Sequence, residues 1–310
     1  MPFTSENNSV FKSIRESAGI RLAVLFGAFF VLLLLASLIS SLIGESLVGS
    51  ERSHILWSSV VQNILAFCLP AFLVAKYSSN QWQDWLCLTK APSIRAILGV
   101  VIVYLITLPA MEWLIQWNAS LHLPASLSSI ESQLREWESA SEETTKILLS
   151  SHGVGAMIAG VVVVGILTGF SEELFFRGAF QGILIKSSLK TGVAVWTTAF
   201  IFSAIHFQFF GFFPRLLMGV FFGYLLVWSR SIWVPVFAHV LNNSVVVILA
   251  SIKGEYTSGI LDNPQTAVYF DNAVVPLISV ILTALFFVYF KDLLFKNKWQ
   301  RNQNPQVSGK

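Results

Sequence analysis

One stretch of this sequence sets its chemistry against its surroundings. "VVVVGILTGFSEELFFRGAF", Val161 to Phe180, is nearly all apolar, yet it carries Glu172, Glu173 and Arg177 in its middle. On a helix Glu173 and Arg177 stand at i and i+4 with the acid first, the favourable order for an ion pair. Pairing offsets much of the penalty of burying both. Glu172 is rotated about 100° from Glu173, so it points to another face and is left without the arginine. A carboxylate isolated among apolar side chains is driven to hold a proton, a water or a cation. That is the condition of a general base working near neutral pH.

The remaining buried-looking polar residues repeat the same helical step. "FSAIHF" sets Phe202 and His206 four apart, and "FAHVLNNS" does the same for His239 and Asn243, with Asn242 beside them. Side chains from three helices can then converge on one point. Glu172 and His206 would hold and deprotonate a water, while His239 and Asn243 would donate hydrogen bonds to the oxyanion formed as a peptide carbonyl is attacked. In a low-dielectric bundle such dipoles count for more. Each motif alone has a plainer reading, since a Glu–Arg pair can simply fix helix packing and a single intramembrane histidine is often structural. All three in order on separate helices are harder to obtain by accident. Glu112 and Arg215 fall nearer to span ends, where long side chains can reach the interface.

These groups need a membrane bundle to hold them. The 310 residues are 55% hydrophobic and only 12% charged, with mean hydropathy +0.68, far too little charge for a soluble surface. The apolar runs predict an all-α, polytopic membrane helix bundle of about eight spans, near residues 20–44, 55–76, 95–116, 154–176, 191–210, 213–229, 231–252 and 273–295. The formal net charge of +3 gives no reason to expect a nucleic-acid partner. The chain divides into 1–150 (three spans and a polar loop), 151–250 (the four spans with the motifs) and 251–310 (a loop, the last span and a basic tail).

Bases flank alternate connections: Lys12, Arg15 and Arg21; Lys76, Lys90 and Arg95; Lys186 and Lys190; Arg230; and Lys291, Lys296, Lys298, Arg301 and Lys310 in the tail. The other connections are acidic, with Glu131, Glu136, Glu138, Glu142 and Glu143 in one and Glu255, Asp262 and Asp271 in another. The positive-inside rule therefore predicts cytoplasmic N and C termini. The first apolar run is too long for a signal-peptide core and is read as a retained span.

"SLSSIESQLREWESA", residues 126–140, sets Leu127, Ile130, Leu134 and Trp137 at helical spacing. It predicts an amphipathic helix on the outer interface, a connector resting on lipid. Trp82 and Trp85 are read as an aromatic belt. Cys68 and Cys87 form no disulfide framework or CxxC metal pattern and are read as packing residues. A straight helix over residues 154–186 would be on the order of 50 Å long against a hydrocarbon core of about 30 Å. It should tilt, bend or break, with Gly178 and Gly182 the expected place. Those two and Gly219/Gly223 share the GxxxG spacing that allows close helix contact.

Glu172-Glu173-Leu174-Phe175-Phe176-Arg177, Phe202 to His206, and His239 to Asn243 match EExxxR, FxxxH and HxxxN. In that order on successive spans they resemble the CPBP family of membrane proteins. The family groups type II CAAX prenyl endopeptidases with bacterial bacteriocin-processing and immunity-type (Abi) proteins. The resemblance covers roughly residues 150–250 and implies an intramembrane endopeptidase acting on peptide or membrane-protein substrates in the lipid bilayer. It implies that Glu172 activates water with His206, that His239 and Asn243 form the oxyanion site, and that Glu173 and Arg177 support them. It leaves open zinc ligation by Glu172, His206 and His239 against metal-free glutamate chemistry. HExxH and GxSxG are both absent from the sequence. In a bacterial cytoplasmic membrane the substrates would be leader peptides, membrane proteins or peptide toxins. The competing readings are a non-catalytic scaffold or immunity protein that keeps the fold, and an ion- or proton-coupled transporter.

Overall fold

A computed structural model describes residues 17–149, 153–253 and 273–295. Among the charges used above, Lys12, Arg15, Glu255, Asp262, Asp271, Lys296, Lys298, Arg301 and Lys310 lie outside the described residues. The described chain is built of helices, with no strand among them: α1 (Ala18–Val48), α2 (Glu51–Ser78), α3 (Ile94–Ala119), α4 (Ser128–Leu149), α5 (Val154–Lys186), α6 (Thr191–Ala204), α7 (Phe212–Ser229), α8 (Trp233–Lys253) and α9 (Val274–Phe295). Six of these are long and apolar enough to cross a membrane: the first 27 residues of α1, α2, α3, α5, α7 taken from Phe209, and α8. The shorter apolar α6 and the Val274–Tyr289 part of α9 complete the set of eight expected from the apolar runs.

Local signals start and stop these helices. Ser50 accepts from Ser53 N at 3.2 Å and Ser93 from Ala96 N at 3.1 Å, capping α2 and α3 at donors that have no intrahelical partner. In α1 the helical dihedrals fail at Gly44 (φ 58°, ψ 164°), where the apolar run ends. Arg230, in the left-handed region at φ 55°, ends α7 and turns the chain directly into α8.

The structure corrects several expectations. α5 is one continuous helix of 33 residues and is not broken at Gly178 or Gly182. Instead it widens twice into π-helical turns, at Val161–Leu167 and Leu174–Gln181, on either side of the α-helical turn that holds Glu172 and Glu173. Such π turns absorb local misfit within a helix and recur at functional sites. α6 stops at Ala204 rather than near residue 210, because Phe207 takes a positive φ of 53° and Phe209–Gly211 forms a 3-10 turn. Glu112 is 3% exposed inside the bundle and does not reach an interface. Trp85 is core rather than belt: it is 9% exposed, and Lys186 Nζ sits 4.0 Å over its ring while donating to Trp85 O at 2.8 Å.

The main core lies where α1 and α2 meet the second half of α5. Phe29, Phe67, Phe175 and Phe176 are all buried there, with Phe175 at 5.2 Å from Phe29 and 5.6 Å from Phe67, centroid to centroid. Tilted and edge-to-face aromatic contacts of this kind add to the plain area burial. This packing clamps the half of α5 that carries Arg177, so the charged residues are positioned by a rigid apolar wall.

Candidate active site

α5 and α8 approach closely because α5 offers glycine where α8 crosses it. A Cβ at Gly169 would lie 3.0 Å from Val240 Cγ2 and 3.1 Å from Val240 N, and one at Gly165 would collide with Ser244 Oγ. This second GxxxG pair was legible in "GILTG" by the same spacing as the pairs singled out above. It is the pair that brings the motif helices together. At this separation His239 Nδ1 reaches Glu173 Oε1 at 2.9 Å, and Asn243 Nδ2 reaches Val164 O at 3.1 Å.

The expected ion pair is present. Arg177 Nη1 donates to Glu173 Oε1 at 2.7 Å, and both side chains are fully buried. Arg177 is held further by Gly219 O at 3.1 Å and by the Phe202 ring 4.5 Å from its guanidinium carbon. One helical turn on, Gln181 Nε2 donates to Gly223 O at 3.1 Å. Two side chains four apart on α5 thus bond to two glycine carbonyls four apart on α7. The absence of a side chain at Gly219 and Gly223 permits that approach, since a Cβ at Gly223 would meet Gln181 Oε1 at 2.7 Å. Gln181 carries no charge and stood out from the sequence by nothing except its apolar neighbours.

Glu172 stays apart from the arginine, as its rotation requires. Its Oε2 faces His239 Nε2 at 3.9 Å, with 12% of its side chain exposed against none for Glu173. The carboxylate of Glu173, fixed by Arg177, orients His239 through Nδ1 and leaves Nε2 towards Glu172. The imidazole is also stacked on Phe222 at 5.2 Å and 27°. Adjacent to Glu172, Ser171 Oγ bonds to Asn63 of α2, and Asn63 Nδ2 donates to Thr168 Oγ1 at 3.1 Å. Asn63 is a buried polar residue that the charge-based search passed over, though its place in an apolar run would have flagged it.

His206 lies just past the end of α6. Its Nδ1 donates to Phe202 O at 2.7 Å, which leaves Nε2 as the acceptor of the neutral ring. The Phe202 ring lies against both imidazoles, 5.1 Å from His206 and 6.1 Å from His239. Glu172, Glu173, Arg177 and His239 are thus brought into direct contact. His206 joins them across Phe202, while Asn243 uses one amide N–H on Val164 and accepts from Asn242 Nδ2 at 3.2 Å.

Among the described residues no group of three or more His, Cys, Asp or Glu side chains is spaced to hold a metal ion. Glu172, His206 and His239 therefore do not fit a zinc ligand set, which would need all three within about 2 Å of one ion.

The comparisons with known proteins fall on this region. The Rce1-like type II CAAX prenyl endopeptidase family matches residues 154–245. The uncharacterised protein YpbD of Bacillus subtilis is 28% identical over 92 residues, which are 28% of this chain and 44% of that protein. The membrane-embedded CAAX protease MroQ of Staphylococcus aureus is 30% identical over 135 residues, 42% of this chain and 53% of that protein. The chain spans about half the length of the curated relatives it matches. No solved structure matches it. With Glu172, Glu173, Arg177, His206, His239 and Asn243 all inside the matched stretch, residues 154–245 are an Rce1-like type II CAAX prenyl endopeptidase segment of an integral membrane protein.

Proposed function

We propose that this protein is an intramembrane endopeptidase in which Glu172 acts as the general base on water. The observation that carries the reading is the division of labour between adjacent acids. Glu173 is committed to Arg177 and His239 Nδ1, while Glu172 faces His239 Nε2 and open space. A water held by Glu172, with the Nε2 lone pair of His206 orienting it, loses its proton to the Glu172 carboxylate and attacks the peptide carbonyl carbon. The developing oxyanion takes hydrogen bonds from His239, as imidazolium through Nε2, and from the second N–H of Asn243. The C–N bond then breaks as Glu172 returns the proton to the leaving nitrogen. No step is routed through a metal.

The substrate is a peptide or membrane protein with apolar residues near the cleaved bond. A cavity of about 420 Å³ supports this, lined by Val103, Met111, Leu217, Phe221, Phe222 and Phe287 among others. Phe222 is shared between that cavity and the face of His239. We place the protein in a bacterial cytoplasmic membrane with both termini cytoplasmic, from the alternation of basic and acidic connections. The polar groups of α5, α6 and α8 gather around one point rather than stringing along a path, which favours a reaction centre over an ion route.

The test is proteolysis of a peptide library by the purified protein, comparing wild type with Glu172→Gln and His239→Ala, each with and without chelator. Cleavage by wild type that both variants lose and chelator leaves intact is the expected result. Equal cleavage by all three proteins would overturn the reading, and loss on chelation would restore a metal.

A further inference from the structure

The loop carrying His206 is held from outside by two elements that the three motifs do not include. Between α6 and α7 the chain passes through Phe207 at φ 53°, a conformation that a non-glycine residue keeps only where its surroundings enforce it. Asn118, in the last turn of α3 and fully buried, straddles this loop. Its Nδ2 donates to Phe209 O at 3.2 Å and its Oδ1 accepts from Phe213 N at 2.9 Å. The amphipathic helix α4 holds the other side. Glu138 Oε2 accepts from Phe210 N at 3.1 Å, and Ser141 Oγ accepts from Gln208 Nε2 at 2.8 Å. The Arg135 guanidinium lies 4.1 Å over the Phe210 ring, and Trp137 meets Phe207 edge-on at 6.2 Å.

α4 is itself tied down along its length, which a connector lying on lipid would not be. Arg135 Nη2 donates to Leu121 O at 3.1 Å near its start. At its end Arg52 of α2 donates to Leu148 O at 2.9 Å and to Ala156 O of α5 at 2.8 Å. The printed tie on the His206 ring is the bond from Nδ1 to Phe202 O, a single contact about which the ring can still swing with its backbone. The aim of Nε2 then depends on where the loop is pinned.

We propose that Asn118 and Glu138 are positioning residues for His206, and that α4 works as a strut holding the histidine loop in its active arrangement. This rests on the peptidase reading for its kinetic consequence, though the geometry of the loop stands apart from it. Glu138 is half-buried on α4, away from the packed core, so its variants test the idea without endangering the bundle.

The experiment compares Glu138→Ala, Glu138→Gln and Asn118→Ala with wild type, by peptide cleavage and by the rate at which diethylpyrocarbonate modifies His206 in the folded protein. Glu138→Ala and Asn118→Ala should lower kcat on the order of 10- to 100-fold, the scale expected of a displaced catalytic group, with KM within about twofold. They should also change the His206 modification rate severalfold. Glu138→Gln, which keeps a carbonyl acceptor for Phe210 N–H, should behave as wild type. In a His206→Ala background, Glu138→Ala should cause no further loss. An unchanged modification rate in Glu138→Ala, or an additive loss in the His206→Ala background, would overturn the proposal. If wild type cleaves nothing, the peptidase reading is what fails, and the modification rates still decide the positioning.

Discussion

The protein contains the same three-residue arrangement twice, once inside the bundle and once on its surface. Glu173, Arg177 and His239 meet at 2.7 and 2.9 Å around one carboxylate oxygen. Glu131, Arg135 and His122 meet at the same 2.7 and 2.9 Å, again around one oxygen of a glutamate four residues before its arginine. The surroundings differ. Side-chain exposures are 0%, 0% and 6% in the inner set, and 14%, 41% and 76% in the outer one. Equal distances therefore do not mean equal energies. Outside, water and ions screen the charges and compete for every bond. Inside, no solvent replaces a lost partner, so each member constrains the others. The outer set fastens the start of α4, whereas the inner set fixes the tautomer and aim of a histidine.

The sharpest way to break the comparison is to neutralise the inner acid. Glu173→Gln strands a buried guanidinium and frees His239 Nδ1, and should destabilise the fold by about 3–5 kcal/mol while abolishing cleavage. Denaturant or thermal unfolding in detergent gives the first number and a peptide assay the second. An inner set that tolerated this change would behave like the outer one.

Next in size is Glu172→Gln, the neighbour with no arginine. Because no ion pair is lost, stability should stay within about 1 kcal/mol of wild type. The cleavage rate should fall by roughly 10²–10⁴-fold, the contribution of a general base. Measuring both on one preparation separates the two acids.

A smaller effect tests how the inner set is assembled. Gly169→Ala places a methyl against Val240 N and Cγ2 at 3.1 and 3.0 Å, so α8 must shift away from α5. A loss of about 1–3 kcal/mol is expected from overpacking of this kind, with reduced cleavage as the Glu173–His239 contact lengthens. Unfolding curves and initial rates of the same variant check the two together.

The smallest effect belongs to the outer set. The Arg135 guanidinium, then the Leu123 N–H and His122, hold the Glu131 carboxyl down from 4.5 to about 2. A depressed folded-state value means that the stabilisation is complete above the unfolded value and is lost as pH falls through the folded one. Hydrogen exchange at the start of α4 should therefore be flat above about pH 4.5 and should speed up as pH falls towards 2. Exchange indifferent to pH over that window would show that the cluster does not fasten the helix.

Much of the inner set was legible because it obeys helical pitch. Glu173 and Arg177 four apart predicted a pair, and the structure has it. What spacing could not show was the third partner. His239 follows Glu173 by 66 residues, and its Nδ1 goes to Glu173 while its Nε2 faces Glu172. Asn118 and Phe209 are 91 residues apart, and Glu138 and Phe210 are 72 apart. An asparagine at the end of one apolar run and a glutamate in an acidic helix look the same whether or not a loop docks on them. The Asn63–Ser171 contact was hidden for a related reason, since it joins two uncharged side chains 108 residues apart.

Hydropathy and the 100° helical step are properties of neighbouring residues. The sequence by itself therefore determined that the chain is a membrane bundle, that its charged groups lie on α5, α6 and α8, and that Glu172 cannot share Arg177 with Glu173. Tertiary structure alone decided which faces of those helices meet. It widened α5 into π turns instead of breaking it, let Gly165 and Gly169 bring α8 into contact, and turned α4 from a supposed lipid-side connector into a strut on the His206 loop. The reason is physical: these outcomes depend on distances between backbones far apart in the chain, which small residues permit and packed aromatic rings enforce.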